Sequence, residues 1–267
     1  MKTIKEFIEQ YVASGFTDAQ ARSFTAQQII LSKIAASRYA DKVLLKGGVV
    51  MYNITQEQRR STLDLDFDFI RFDIGKDRNI DSFVRALNAK LPMYQVCLRG
   101  KPVDLHQQDY KGKRIILWIS DSTEGIRFKM DIGVHTLFAM PQDKMCFSFQ
   151  DGNQATLLVN PPEQIFAEKL YSLAKIGPTS QRFKDIDDMY YLVQNQSLKI
   201  ELVRECLELL TISHAYGINE IQDVVDYVDD CLNSGVFSQG YETSSAAWMD
   251  INYFEAKTVI LDFIYQL

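Results

Sequence analysis

From Thr62 to Phe69 the chain alternates without a break, with Leu63, Leu65, Phe67 and Phe69 on one side and Asp64, Asp66 and Asp68 on the other. A period of two marks a half-buried β-strand, because successive side chains point to opposite faces. Residues two apart on such a strand project from one face about 6.6 Å apart, close enough for Asp64 and Asp66 to converge on one cation. Left unpaired beside a buried strand, the two carboxylates repel each other and resist losing water. Mg²⁺, with oxygen ligands at about 2.0–2.1 Å, turns that penalty into binding. The bland alternative is a sheet whose polar face is simply wet.

The residues just upstream bear on that choice. Val43 to Leu45 reads as a short strand, Lys46, Gly47 and Gly48 as a turn, and Val49 to Ile54 as the start of a helix. Glycines between a strand and a helix let the backbone approach a polyphosphate, whose charge the helix N-terminus favours. A glycine pair alone marks only a turn; combined with a two-aspartate strand shortly downstream it resembles the signature of the polymerase-β superfamily.

Two further clusters carry candidate chemistry. A strand from Arg127 to His135 sets Lys129, Asp131, Gly133 and His135 on one face and Met130, Ile132 and Val134 on the other. Asp131 is a candidate third carboxylate, since two metal ions roughly 3.5–4 Å apart need shared acids; an ordinary surface acid is the alternative. His106 and His135 show no ligand-pair spacing and read as structural or solvated. The other cluster is helical: Glu163, Glu168 and Lys169, then Arg182, Lys184, Asp185 and Asp188 in RFKDIDDM. Ion pairs within a helix are the plain reading of that spacing. Cations set against a triphosphate are also what in-line transfer requires.

A chain of 267 residues, 46% of them apolar, can bury a substantial core. Its four cysteines lie far apart, so neither a disulfide framework nor a zinc site is indicated, and a reducing cytoplasm fits. No apolar run is long enough to span a bilayer, and the opening MKTIKEFIEQ lacks a signal-peptide core, which implies an unprocessed chain with no membrane partner. The net charge of −6 is unevenly placed: residues 1–195 hold 26 Lys and Arg against 23 Asp and Glu, or +3, and residues 196–267 hold 3 against 12, or −9. Whole-chain charge is thus a poor guide to partners. The densest basic stretch, Arg99, Lys101, Lys111, Lys113, Arg114, Arg127 and Lys129, is either a solvated sheet edge or a phosphate-facing surface.

Capping-box spacings at Thr3/Glu6 and Thr17/Gln20 open two N-terminal helices. Strands are expected at Tyr94 to Leu98, Arg114 to Ser120, Cys146 to Phe149 and Thr156 to Val159, with a helix near Asp81 to Leu91. After Pro161 and Pro162 everything reads as helix: Glu163 to Lys175, Phe183 to Gln194, Ile200 to Leu210, Ile221 to Leu232 and Tyr253 to Tyr265. The expected fold is α/β (α+β), a mixed-sheet core with N-terminal helices over residues 1–160 and an all-helical domain over 161–267.

In this order, the GG pair with RSTLDLDF, KMD, EKL and RFKDIDD resemble the AbiEii/AbiGii toxin-like nucleotidyltransferases of the polymerase-β superfamily. The resemblance implies transfer of a nucleoside monophosphate from an NTP with release of pyrophosphate. It implies Mg²⁺, two ions with Mn²⁺ as a substitute, held by Asp64, Asp66 and Asp131. Gly47, Gly48 and Thr62 would lie along the phosphates, and Lys169, Arg182, Lys184 and Asp185 would complete the pocket. Asp131 or Asp185 would help deprotonate an acceptor hydroxyl. An RNA acceptor, tRNA above all, a cognate antitoxin and a role in abortive infection as phage defence follow from the same resemblance. The long interval from Gly48 to Asp64 and the extra Asp68 depart from the pattern. Against this stand a small-molecule nucleotidyltransferase, a silent binding protein of the same fold, and an aspartate phosphatase, whose motif wants Thr or Val where Ile70 sits.

Overall fold

The computed structural model describes residues 2–106, 111–135, 141–212 and 215–267, with His106, Lys111 and Ala215 described in backbone only. The chain divides into two compact units, Met1–Thr136 with Gln142–Asn160, and Leu137–Pro141 with Pro161–Leu267.

The first unit opens with α1 (Ile4–Ala13) and α2 (Asp18–Ala35), each started by the expected capping box. Then follow β1 (Val43–Lys46), α3 (Gly48–Thr55), β2 (Leu65–Ile70), α4 (Asp77–Asn88), β3 (Gln95–Leu98) and β4 (Val103–His106). The unit ends with β5 (Lys111–Ser120), β6 (Gly125–His135), β7 (Asp143–Ser148) and β8 (Gln154–Val159). The strands form one sheet in the order β3-β5-β6-β2-β1-β8-β7, with β4 beside β5. The sheet is mixed, because β2 runs parallel to β6 and β1 parallel to β8 while the other pairs are antiparallel.

One face of this sheet is apolar. Leu65, Phe67 and Phe69 lie in register with Met130, Ile132 and Val134, and these in turn with Ile115 and Lys113 on β5. Phe83 of α4 meets Phe67 and Phe69 at ring distances of 5.8 and 5.1 Å, and all three rings are fully buried. Burying each such side chain contributes on the order of 1.5–3 kcal/mol. Lys33 of α2 is also fully buried; its ammonium donates to the carbonyls of Leu87, Lys90 and Leu91 at 3.2, 2.5 and 3.0 Å. It thereby ties α2 to the turn that follows α4.

The alternating strand begins at Leu65, not Thr62. Side chains of α2 take the carbonyls that pairing would need, Ser23 donating to Leu63 at 2.7 Å and Gln27 to Thr62 at 2.9 Å. Leu63 is accordingly exposed, and Asp64 stands just ahead of the ladder.

The second unit is helical among its described residues: α5 (Pro162–Ile176), α6 (Phe183–Asn195), α7 (Ile200–Thr211), α8 (Ile221–Asn233), α9 (Gly235–Thr243) and α10 (Tyr253–Ile264). Helix α9 was not expected, because Gly235 and Gly240 weaken the local helical signal. Gly240 is needed for contact: a Cβ there would stand 2.8 Å from Cζ of Phe183. No helix among the described residues is long and apolar enough to cross a membrane.

Candidate active site

The strand register places four charged residues in one row across the polar face of the sheet. Arg114 on β5 pairs with Asp131 on β6, Asp131 with Asp66 on β2, and Asp66 with Lys46 on β1. Asp66 and Asp131 are therefore neighbours because two strands sixty-odd residues apart in the chain run parallel in register, which brings facing side chains to about 5 Å. Asp64 and Lys129 extend the same face by two residues toward the start of β2, and Asp68 extends it the other way.

Each carboxylate meets a different environment. Asp131 accepts both hydrogen bonds of a bidentate pair from Arg114, Nε to Oδ1 at 2.8 Å and Nη2 to Oδ2 at 2.7 Å. Asp64 lies 2.6 Å from Nζ of Lys129. Lys46 turns past Asp66 to Asp68, reaching its two oxygens at 2.8 and 2.9 Å, and Asp68 is buried in that pair. Asp66 has no hydrogen-bond or ion-pair partner among the described residues. Burial first, then the charges of Asp131 and Asp64, push its carboxyl up to about 6, with Lys46 and Lys129 pulling the other way.

The glycine turn forms one corner of this face. Gly47 has φ +66 and caps α3, whose first turn has no side-chain cap. A Cβ on Gly47 would lie 3.4 Å from Oδ2 of Asp66, and one on Gly48 would lie 2.7 Å from Cβ of Thr62. Glycine is required at both places, at the first for backbone conformation and at the second for closeness. Gly47, Gly48, Thr62, Asp64, Asp66 and Asp131 thus share one corner of the first unit, where uncapped N–H groups at the start of α3 suit an anion.

The donor set at this corner suits a hard dication. It consists of carboxylates without a sulfur or imidazole ligand, and Asp66 carries charge that the described protein leaves unmatched. No three acids among the described residues already stand as an ion-holding group, since Arg114 and Lys129 draw Asp131 and Asp64 to themselves. The residues fit magnesium by their chemistry.

In the second unit, Lys169 of α5 bridges two acids of α6, pairing with Asp185 and lying 2.8 Å from Oδ2 of Asp188. Arg182 lies 3.6 Å from Asp185 and is exposed, and Lys184 is half-buried on the first turn of α6. The sequence suggests that Asp188 sits at a rim; it is instead fully buried and also accepts from Nε1 of Trp248 at 3.0 Å. Beside it, buried Asp187 accepts from the Tyr241 hydroxyl and from the backbone N–H groups of Trp248 and Met249. Nothing in local spacing flags Asp187, because its partners lie over fifty residues away.

The basic stretch does not all face one way. Lys113 and Arg114 are adjacent on a strand and so point to opposite faces. Lys113 is buried at 3.1 Å from Asp77 and 3.0 Å from Asp104, whereas Arg114 faces the carboxylate row. The side chain of Lys111 lies outside those described. Sequence reasoning placed Arg114 and Lys129 in a basic patch and missed that they, with Lys46, partner the acids. Only the strand pairing reveals it.

A mixed sheet bearing carboxylates on adjacent strands, beside a glycine turn that opens a helix, is the layout of a nucleotidyltransferase core, and the chain is an enzyme of that class. Residues 29–228 match the family described as nucleotidyl transferase AbiEii toxin, type IV toxin–antitoxin system, and the chain belongs to that family. Among solved structures it is similar to JHP933 from Helicobacter pylori, with 14% identity, 94% of this chain and 92% of that chain covered, and a TM-score of 0.48. It is also similar to an antigenic nucleotidyltransferase-like protein from Paracoccidioides brasiliensis, with 17% identity, 74% and 94% covered, and a TM-score of 0.40. No curated protein matches it in sequence.

Proposed function

We propose that this enzyme transfers a nucleoside monophosphate from an NTP to the end of an RNA, with tRNA the acceptor, and acts in the cytoplasm as a toxin that a cognate antitoxin neutralises. The observation that carries the reading is the in-register pair Asp66 and Asp131 beside Gly47 and Gly48. Asp64, Asp66 and Asp131 would hold magnesium, which when bound neutralises charge building up around the α-phosphate. The start of α3, with Gly47, Gly48 and Thr62, receives the phosphates. The acceptor hydroxyl oxygen bonds to the α-phosphorus, the α–β bridging P–O bond breaks, and its electron pair leaves with pyrophosphate. The hydroxyl proton passes to a carboxylate, Asp131 or Asp185. Lys169, Arg182 and Lys184 are assigned to nucleotide binding by the family pattern.

Incubation with Mg²⁺, each α-labelled NTP in turn and total RNA tests the reading. Label is expected in RNA and absent with Asp66→Ala. Label in protein or in small molecules alone would sink the RNA acceptor, and label nowhere would sink the activity.

A further inference from the structure

The polar face of the sheet continues past the carboxylate row onto a surface that no role above uses. Along β5, Arg114, Ile116 and Trp118 share this face at two-residue steps, so Trp118 stands about 13 Å from Arg114. Across the strands, Trp118 pairs with Arg127 on β6 and with Cys97 on β3, and Arg99 continues β3 by donating its N–H to the Ile116 carbonyl at 2.7 Å. Arg99 and Arg127 are exposed, and Trp118 and Ile116 are half-exposed.

The indole has been given room and a direction. A Cβ on Gly125 would lie 2.2 Å from Cζ2 of Trp118, so only glycine lets the ring lie over β6. The Arg99 guanidinium sits 5.3 Å from the ring centroid. A wide aromatic surface on a sheet face, flanked by two guanidiniums, matches the alternation of base and phosphate in a single strand. A duplex would present its bases already stacked, leaving the indole without a partner. An acidic protein surface would satisfy the arginines and not the ring.

We infer that Arg99, Trp118 and Arg127 form a docking platform for single-stranded RNA, with one base stacked on Trp118 and the strand running along β5 toward Asp131. This rests on the RNA-acceptor reading above and adds where the acceptor lies. The probe is a 5′-labelled single-stranded 12-mer RNA of mixed sequence, bound to the full chain without NTP and followed by anisotropy over a range of salt. Arg99→Gln combined with Arg127→Gln is expected to weaken binding about tenfold and to flatten the log–log salt slope by about 1.4, at roughly 0.7 per phosphate contact. Trp118→Leu is expected to cost about tenfold with the salt slope unchanged. RNA should also quench wild-type tryptophan fluorescence and leave Trp118→Leu unquenched, because the other tryptophan, Trp248, is buried.

Circular dichroism melting of each variant separates lost folding from lost docking, and NTP affinity should not change. RNA binding that survives both variants overturns the platform, as does a wild-type chain that leaves the strand unbound or prefers a duplex of equal length. The transfer assay distinguishes the two ideas. Label entering RNA equally with wild type and variants keeps the acceptor and removes the platform. RNA that docks through Trp118 and takes no label removes the acceptor.

Discussion

Asp66 is the residue on which the site's electrostatics turn. Its carboxyl is pushed up to about 6 from an ordinary value of 3.8, so between those two values the folded chain holds a proton there that the unfolded chain has released. Without metal, that contribution to stability is full below pH 3.8 and is lost as pH rises through about 6. Denaturant unfolding in chelator should therefore show stability falling over that window in wild type and a flatter profile in Asp66→Asn, which gains stability at neutral pH. Arg114 sets a second expectation. It takes one lone pair on each oxygen of Asp131 and sets a positive charge beside them, so it competes with an arriving dication. Arg114→Gln should bind Mn²⁺ several-fold more tightly in calorimetric titration, with stability changed by no more than about 1 kcal/mol because the pair is partly exposed. Equal Mn²⁺ affinity in the two proteins would show that Arg114 does not compete.

At the level of elements, α6 is held from two sides by acids that the sequence read as functional or did not single out. Lys169→Ala strands Asp188 without its buried cation, and a broken buried pair costs about 3–5 kcal/mol. Its melting midpoint should drop accordingly, so its transfer activity is meaningful only when measured well below that midpoint. Asp187→Ala should cost at least as much, because it orphans the Tyr241 hydroxyl and two backbone N–H groups at once. A loss under 1 kcal/mol in either variant, measured by urea unfolding, would mean that water fills in for the missing partner. The sequence was a good guide to those elements whose signals are local. Capping boxes, period-two alternation and helical apolar spacing gave α1, α2, β2 and α5 to within a few residues. It was a poor guide where tertiary partners override the local signal. Ser23 and Gln27 cut β2 short, and Phe183 makes a glycine-bearing α9 worthwhile.

For the whole molecule, the carboxylate corner was legible as a set of residues and illegible as a set of partners. Asp64 and Asp66 announce themselves by alternation, and Asp131 by its place in the KMD strand. The cations that answer them come from β1, β5 and β6, and no one-dimensional spacing relates those strands. The parallel pairing of β2 with β6 has a further consequence in time. The two strands can join only after the intervening α4, β3, β4 and β5 have been made, and closing so long a loop is slow as well as entropically costly. A chain still on the ribosome with β6 unfinished carries Asp66 without Asp131. Such a chain should transfer no nucleotide, and one ending at residue 120 should give no heat on titration with Mn²⁺. The pair of acids that gives the site its charge thus comes into being only when β6 has been made and has docked beside β2.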